Sequence, residues 1–343
     1  SGTAVDWELV DDRACRSGPA LPLYPFQHKP YRITVPITAP TPAPAESLPE
    51  QAPPKHEPFE RLDFLKDIPE ASYDQRDLTD AILVKETPEP GVVVLRMTNT
   101  TNGNLMDTPL YTALSRAFDE VNHDDSVKVL VLTGTDRLFC MGGTMQSLDD
   151  IANRDAFCSD GSIFYLGLPS VRVPVITAMT GHAHGGGLAL GLSGDIPILA
   201  EESLYAASFM NIDFTPGVGS TYYFSRGFGH ALAQEMLFTG RDYSGKEIKE
   251  INPAIRVLPK AEVMPEALRI AREIASKSLR TLTLFKQGQA KVIFEELPLY
   301  IQRENRMQQE LFDGDHIASA RRAIRRMFGE PAEARDRGST AGI

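Results

Sequence analysis

The chain has 343 residues, of which 42% are hydrophobic, enough for a sizeable core in one large domain or two average ones. A formal net charge of −11 argues against nucleic acid as a main partner, because phosphate binding needs clustered Lys and Arg. No long apolar span suggests a membrane helix or signal peptide, and Cys15, Cys140 and Cys158 form no CxxC pair, which disfavours zinc and disulfides and fits a reducing cytoplasm.

In chain order, Leu21–Ile33 (LPLYPFQHKPYRI) is an aromatic, proline-rich strip that would be adhesive if exposed, so it is expected to dock on a neighbouring body. Residues 34–59 are rich in Pro and Ala, favour extended backbone, and read as a semi-rigid linker. The folded domain is expected at 60–330, and the small, polar stretch 331–343 reads as a flexible linker.

Within that domain, Gly91–Thr98 predicts a short β-branched strand. Asp107–Val121 predicts a helix from the spacing of Leu110, Leu114, Ala117, Phe118 and Val121, with Asp107 or Thr108 as cap and Pro109 in the first turn. Val127–Thr133 and Val173–Met179 predict buried strands. Gly185–Leu192 predicts a helix, followed by strands at Asp195–Ala200 and Leu204–Ala207. Ala231–Thr239, Pro265–Lys277, Lys286–Phe294 and Leu297–Phe312 predict helices. The alternation makes an α/β fold with mostly parallel strands, and the helical C-terminal third suits packing between subunits.

Two glycine-rich turns follow predicted strands: Phe139-Cys140-Met141-Gly142-Gly143-Thr144 and Gly181-His182-Ala183-His184-Gly185-Gly186-Gly187. In an open α/β sheet, ligands bind at that edge. The second turn opens a helix, whose free N–H groups favour an anion. One backbone N–H from each turn can form an oxyanion hole for a thioester carbonyl. Read without chemistry, the same turns simply pack a helix on a sheet.

From about Gly91 to Phe312 these motifs, with VPVITAMTGHAHGGGLALGLSGDIPILAEES and FTPGVGS, resemble the crotonase superfamily of enoyl-CoA hydratases and isomerases. The resemblance implies a spiral of ββα turns, a C-terminal helical trimerisation region and homotrimers. It also implies acyl-CoA or acyl-carrier-protein thioesters as substrates, with the oxyanion donors on Gly143 and Gly186. Ser208–Ile248 and Arg256–Val263 are similar to decarboxylases of polyketide β-branching cassettes, which act on a 3-methylglutaconyl thioester. Leu21–Ile33 resembles the strip that closes the linker after a ketosynthase or acyltransferase, so residues 1–33 are expected to end such a linker and other polyketide synthase domains to be neighbours.

The hydratase branch uses two glutamates, and those positions carry Ala189 and Phe209 here. The decarboxylase branch uses a lysine and a histidine, which fall near Arg154 and on Gln308. Arginine can grip a carboxylate with two hydrogen bonds but cannot act as a general acid at pH 7. Glutamine can donate a hydrogen bond but transfers no proton. His184 is a further candidate for proton delivery, since its ordinary pKa lies near neutrality. His182 is read as mainly structural, and Asp213 as a base or, in preference, a turn residue. Cys140 and Cys158 read as buried thiols, and Tyr222, Tyr223 and Phe224 as core. No metal or redox cofactor is implied, because a thioester is itself an electron sink and the substrate rides on phosphopantetheine. The expected activity is decarboxylation or isomerisation of a carrier-bound glutaconyl-type thioester. The alternatives are a degenerate scaffold that docks a carrier protein, and a hydratase.

Overall fold

A computed structural model describes residues 82–99, 102–157, 160 and 162–329. The Leu21–Ile33 strip, the 34–59 linker, the start of the expected domain, Cys158 and the 331–343 tail lie outside the described residues.

Two sheets organise the chain. The larger has six strands in the order β1-β2-β3-β5-β7-β10: β1 (Leu83–Glu89), β2 (Val92–Met97), β3 (Val129–Thr133), β5 (Val175–Met179), β7 (Ile196–Ala200) and β10 (Arg256–Leu258). Only the β1–β2 pairing is antiparallel; the other pairs are parallel. Alternate residues of the middle strands serve opposite faces. Val93, Leu95, Leu130 and Leu132 enter the main core. Val92, Val94, Val129 and Val131 meet Val263, Ala267 and Ala271 of one helix, Lys260–Ala275. Burial on both faces explains why these strands read as unbroken apolar runs.

The second sheet, β4-β6-β8-β9, has four strands of three residues each: β4 (Leu138–Cys140), β6 (His182–His184), β8 (Leu204–Ala206) and β9 (Asp242–Ser244). The chain steps repeatedly from the first sheet to the second and then into a helix. Strand β3 leads to β4 and then α2 (Met145–Ala152); β5 leads to β6 and then α4 (Gly186–Leu192). Strand β2 follows the same course, with an isolated parallel bridge from Met106 to Gly143 in place of a short strand, then α1 (Thr108–His123). This is the expected ββα spiral. As expected, Asp107 caps α1 by accepting the Leu110 N–H at 2.8 Å.

The sequence reading missed the three-residue strands other than β8. It also divided the C-terminal helix. Lys286–Phe294 and Leu297–Phe312 belong to one helix, α9 (Leu279–Leu311), which runs through Pro298. Pro298 lies on the exposed side, where water can take the carbonyl that the missing N–H leaves free. A further helix, α10 (Gly314–Phe328), was not foreseen. The remaining helices are α3 (Ile163–Ser170), α5 (Ser220–Phe228), α6 (His230–Thr239), α7 (Gly245–Ile251) and α8 (Lys260–Ala275); of these only α6 and α8 were foreseen, and α2 was not.

Helix α9 is moored to the sheet layer near one end. Lys286, 4% exposed, places its ammonium 2.6 Å from Asp195 Oδ2 and 2.8 Å from Oδ1. No helix among the described residues is long and apolar enough to cross a membrane.

Candidate active site

The two glycine turns meet. A Cβ on Gly142 would stand 3.0 Å from the His184 carbonyl oxygen and 3.5 Å from the Gly186 nitrogen. Gly142 also has φ 90°, a left-handed value that glycine adopts freely. A Cβ on Gly187 would collide with the Cys140 carbonyl, so α4 starts directly against the end of β4. The Met106 N–H donates to Gly142 O at 2.8 Å, and among the described hydrogen bonds neither the Gly143 nor the Gly186 N–H donates. Gly186 opens α4, where an N–H has no acceptor one turn back. The turns that carry these two N–H groups therefore adjoin.

Arg154 and Gln308, far apart in sequence, come together. Both line a small apolar hollow with Ile151, Ala156, Phe157 and Phe312. Arg154 stands just beyond α2 at φ 66°, and its guanidinium donates to Gln309 O on α9 at 2.7 Å. Gln308, 2% exposed, directs its amide nitrogen to Thr215 O at 3.4 Å. Three residues on, Val218 lies against Gly186.

His184 sits elsewhere. It is 5% exposed, and its Nε2 lies 3.5 Å from Asp242 Oδ1 without a hydrogen bond. Strand register explains the pairing: His184 faces Ala206 on β8, and Ala206 faces Asp242 on β9. Burial lowers the His184 pKa to about 4 and also raises that of the Asp242 carboxyl. The imidazole is therefore neutral at pH 7, and it is not among the residues that line the hollow. His182 is structural, its Nδ1 accepting the Leu204 N–H at 2.9 Å.

Other expectations can be placed. Asp213 is a left-handed turn residue, φ 57°, whose carboxylate accepts the Ser319 hydroxyl at 2.6 Å. Cys140 is fully buried and its thiol is pushed up to about 12, so it is no nucleophile. Tyr222, Tyr223 and Phe224 are core residues, as are Ala189 and Phe209, and neither of the latter two positions offers a titratable group.

Two residues were missed by sequence reasoning. Glu304, 1% exposed, accepts the Gly219 N–H at 2.8 Å and the Thr221 N–H at 2.9 Å, capping the start of α5 from across the fold. Its pKa is raised by burial. Val218, inside that capped loop, has φ 52° although it is β-branched. The only available sequence signal was the four-residue spacing of Glu304 and Gln308, which puts both on one helix face.

Comparison with known proteins bears on the family and the fold. Residues 87–331 match the enoyl-CoA hydratase/isomerase family. The chain is 34% identical over 231 residues to the bacillaene synthase decarboxylase PksI of Bacillus subtilis, covering 67% of this chain and 92% of that protein. A solved structure from a dehydratase/decarboxylase enzyme couple involved in polyketide β-branching aligns with a TM-score of 0.69 at 32% identity, over 73% of this chain and 100% of that one. The ECH2 decarboxylase domain of CurF from Lyngbya majuscula aligns with a TM-score of 0.65 at 27% identity, over 70% and 98% of the two chains.

Proposed function

The chain belongs to the enoyl-CoA hydratase/isomerase family, the crotonase superfamily, and on that premise we propose that it decarboxylates a glutaconyl-type thioester held on an acyl carrier protein during polyketide β-branching. The observation that carries this reading is the convergence of exposed Arg154 and buried Gln308 on one small hollow, a cation and an amide brought together from distant parts of the chain. The hydratase alternative is disfavoured by Ala189 and Phe209, which leave no acid–base pair of carboxylates at those positions.

The steps follow from the groups present. The Gly143 and Gly186 N–H groups hold the thioester oxygen. Arg154 holds the distal carboxylate and fixes its orientation. The bond between that carboxylate and the neighbouring carbon breaks. Its electron pair passes through the conjugated alkene to the thioester oxygen, giving a dienolate whose charge the two N–H groups stabilise, and CO₂ leaves. A proton from water, oriented by the Gln308 amide, then adds to carbon as the electron pair returns, and the hydroxide left behind is released to solvent. Water is the donor in this scheme because neutral His184 faces Asp242. No redox partner is required, since the thioester accepts and returns the electron pair.

The same reading makes phosphopantetheine the carrier of the substrate and gives the chain polyketide synthase domains as neighbours. It also makes the chain a homotrimer, which the exposed Leu284, Phe285 and Leu299 of α9 support.

Intact-protein mass spectrometry of 3-methylglutaconyl carrier protein incubated with the chain tests the proposal. The expected result is loss of one CO₂ with the wild type and none with Arg154→Ala. An unchanged mass with the wild type overturns the decarboxylase. If the carrier protein still binds, the second reading stands in its place: a scaffold whose Gln308 marks the loss of a proton donor.

A further inference from the structure

Two side chains from separate loops press on the α-carbon of Gly186. A Cβ there would lie 2.8 Å from Met106 Sδ and 3.1 Å from Val218 Cγ2. Each of the two is fixed by a buried polar side chain. Asn104, 0% exposed, places its amide nitrogen 3.2 Å from Met97 O and 3.0 Å from Phe139 O, which pins the loop that carries Met106. Met106 is further tied to the first glycine turn through Gly142 O. On the other side, Glu304 accepts from Gly219 and Thr221, the residues that follow Val218. A β-branched residue at φ 52° is strained, and such strain persists only where the surroundings over-determine it. The Glu304 cap provides that constraint. Glycine at position 218 would have relieved the strain but would have left no side chain beside Gly186.

Building on the thioester reading above, we propose that Met106 and Val218 set which acyl chains this site admits, and that Glu304 is the positioning residue that holds Val218 against Gly186. A carbonyl held by the Gly143 and Gly186 N–H groups must place its first acyl carbons beside these two side chains. A longer branch must displace these side chains further than a methyl branch does. Glu304 touches no substrate; it acts through the backbone of Gly219 and Thr221.

The test uses the full chain and unreactive ligands, so that binding is read apart from turnover: carrier protein loaded with saturated 3-methylglutaryl or 3-propylglutaryl thioester, titrated calorimetrically. The wild type is expected to prefer the methyl ligand by about tenfold or more, the usual scale for extra methylenes against a fixed apolar wall. Val218→Gly is expected to reduce that preference to roughly threefold or less without lowering the melting temperature, because glycine accepts the left-handed conformation. Met106→Ala should move the ratio in the same direction. Glu304→Gln, which keeps one acceptor, should fall between wild type and Val218→Gly. A merely structural role would weaken both ligands alike and leave their ratio unchanged. An unchanged ratio in both Val218→Gly and Met106→Ala overturns the proposal, as does failure of the wild type to bind either ligand. A wild type that discriminates the ligands but releases no CO₂ from the glutaconyl substrate would sink the decarboxylase and leave the acyl gate standing.

Discussion

Lys286 reaches from α9 to Asp195, with Nζ 2.6 Å from Oδ2, and the same carboxylate accepts the Val175 N–H at 2.7 Å. One buried pair thus joins the C-terminal helix to the strand layer. Removing the lysine leaves a carboxylate that is only one quarter exposed without its cation. Lys286→Ala should cost about 3 kcal/mol, the low end for a broken buried pair because Asp195 keeps some solvent and one N–H. Urea denaturation measures it, and a loss below about 1 kcal/mol would show that the pair contributes little beyond packing.

Acid should weaken the fold through His184. Its pKa falls from 6.5 to about 4 on burial, so the folded protein refuses a proton that the unfolded chain accepts. The sign follows: stability from this group is complete above pH 6.5 and is lost as pH falls toward 4. The shift corresponds to at most about 3 kcal/mol. His184→Leu should flatten that part of the stability curve between pH 7 and pH 5, measured by denaturation at each pH. Parallel curves for the two proteins would place the acid sensitivity elsewhere.

Cys140 should resist alkylation in the native protein. Its thiol is fully buried with its pKa pushed to about 12, so almost no thiolate exists at pH 8. Peptide mapping after iodoacetamide treatment should find Cys140 modified only when denaturant is present. Modification at native conditions on the timescale of an exposed thiol would contradict the burial.

Gln308→His should introduce a titrating group into the hollow. If water protonates the dienolate in the wild type, decarboxylation there should vary little between pH 6 and pH 8. The variant should be faster at the acid end of that range by roughly tenfold, since a placed general acid contributes on the order of 10²-fold in a well-adapted site. Pre-steady-state quench with mass detection reads both profiles. A variant with the flat profile of the wild type would mean that position 308 does not face the reacting carbon.

The sequence exposed those parts of the fold that use long repeats of one chemistry. Strands β2, β3, β5 and β7 are apolar on both faces, so their runs were plain. Helix α1 showed its period and its Asp107 cap. The three-residue strands β4, β6, β9 and β10 are too short for any period to register, and tertiary pairing alone makes them strands. Pro298 divided α9 in the reading because local propensity takes no account of a ring that faces solvent. The glycine turns were visible because close backbone approach demands that residue. The meeting of Arg154 with Gln308 followed only from resemblance, since nothing local to either residue points to the other. Glu304 was invisible because a glutamate on a helix ordinarily reads as a solvated surface charge, and only the fold buries it.

The continuity of α9 makes spacing as consequential as residue identity. Its one rod carries Lys286, which is moored to the sheet layer, and then Glu304 and Gln308, which govern the loop over Gly186. Each residue of an α-helix advances the azimuth by about 100°. One residue inserted between Lys286 and Glu304 would therefore turn both Glu304 and Gln308 away from their partners while leaving every side chain in the protein unaltered. Most loops of this chain can change length cheaply, but this stretch can change only by whole helical turns, and even then at the cost of about 5.4 Å of travel along the axis.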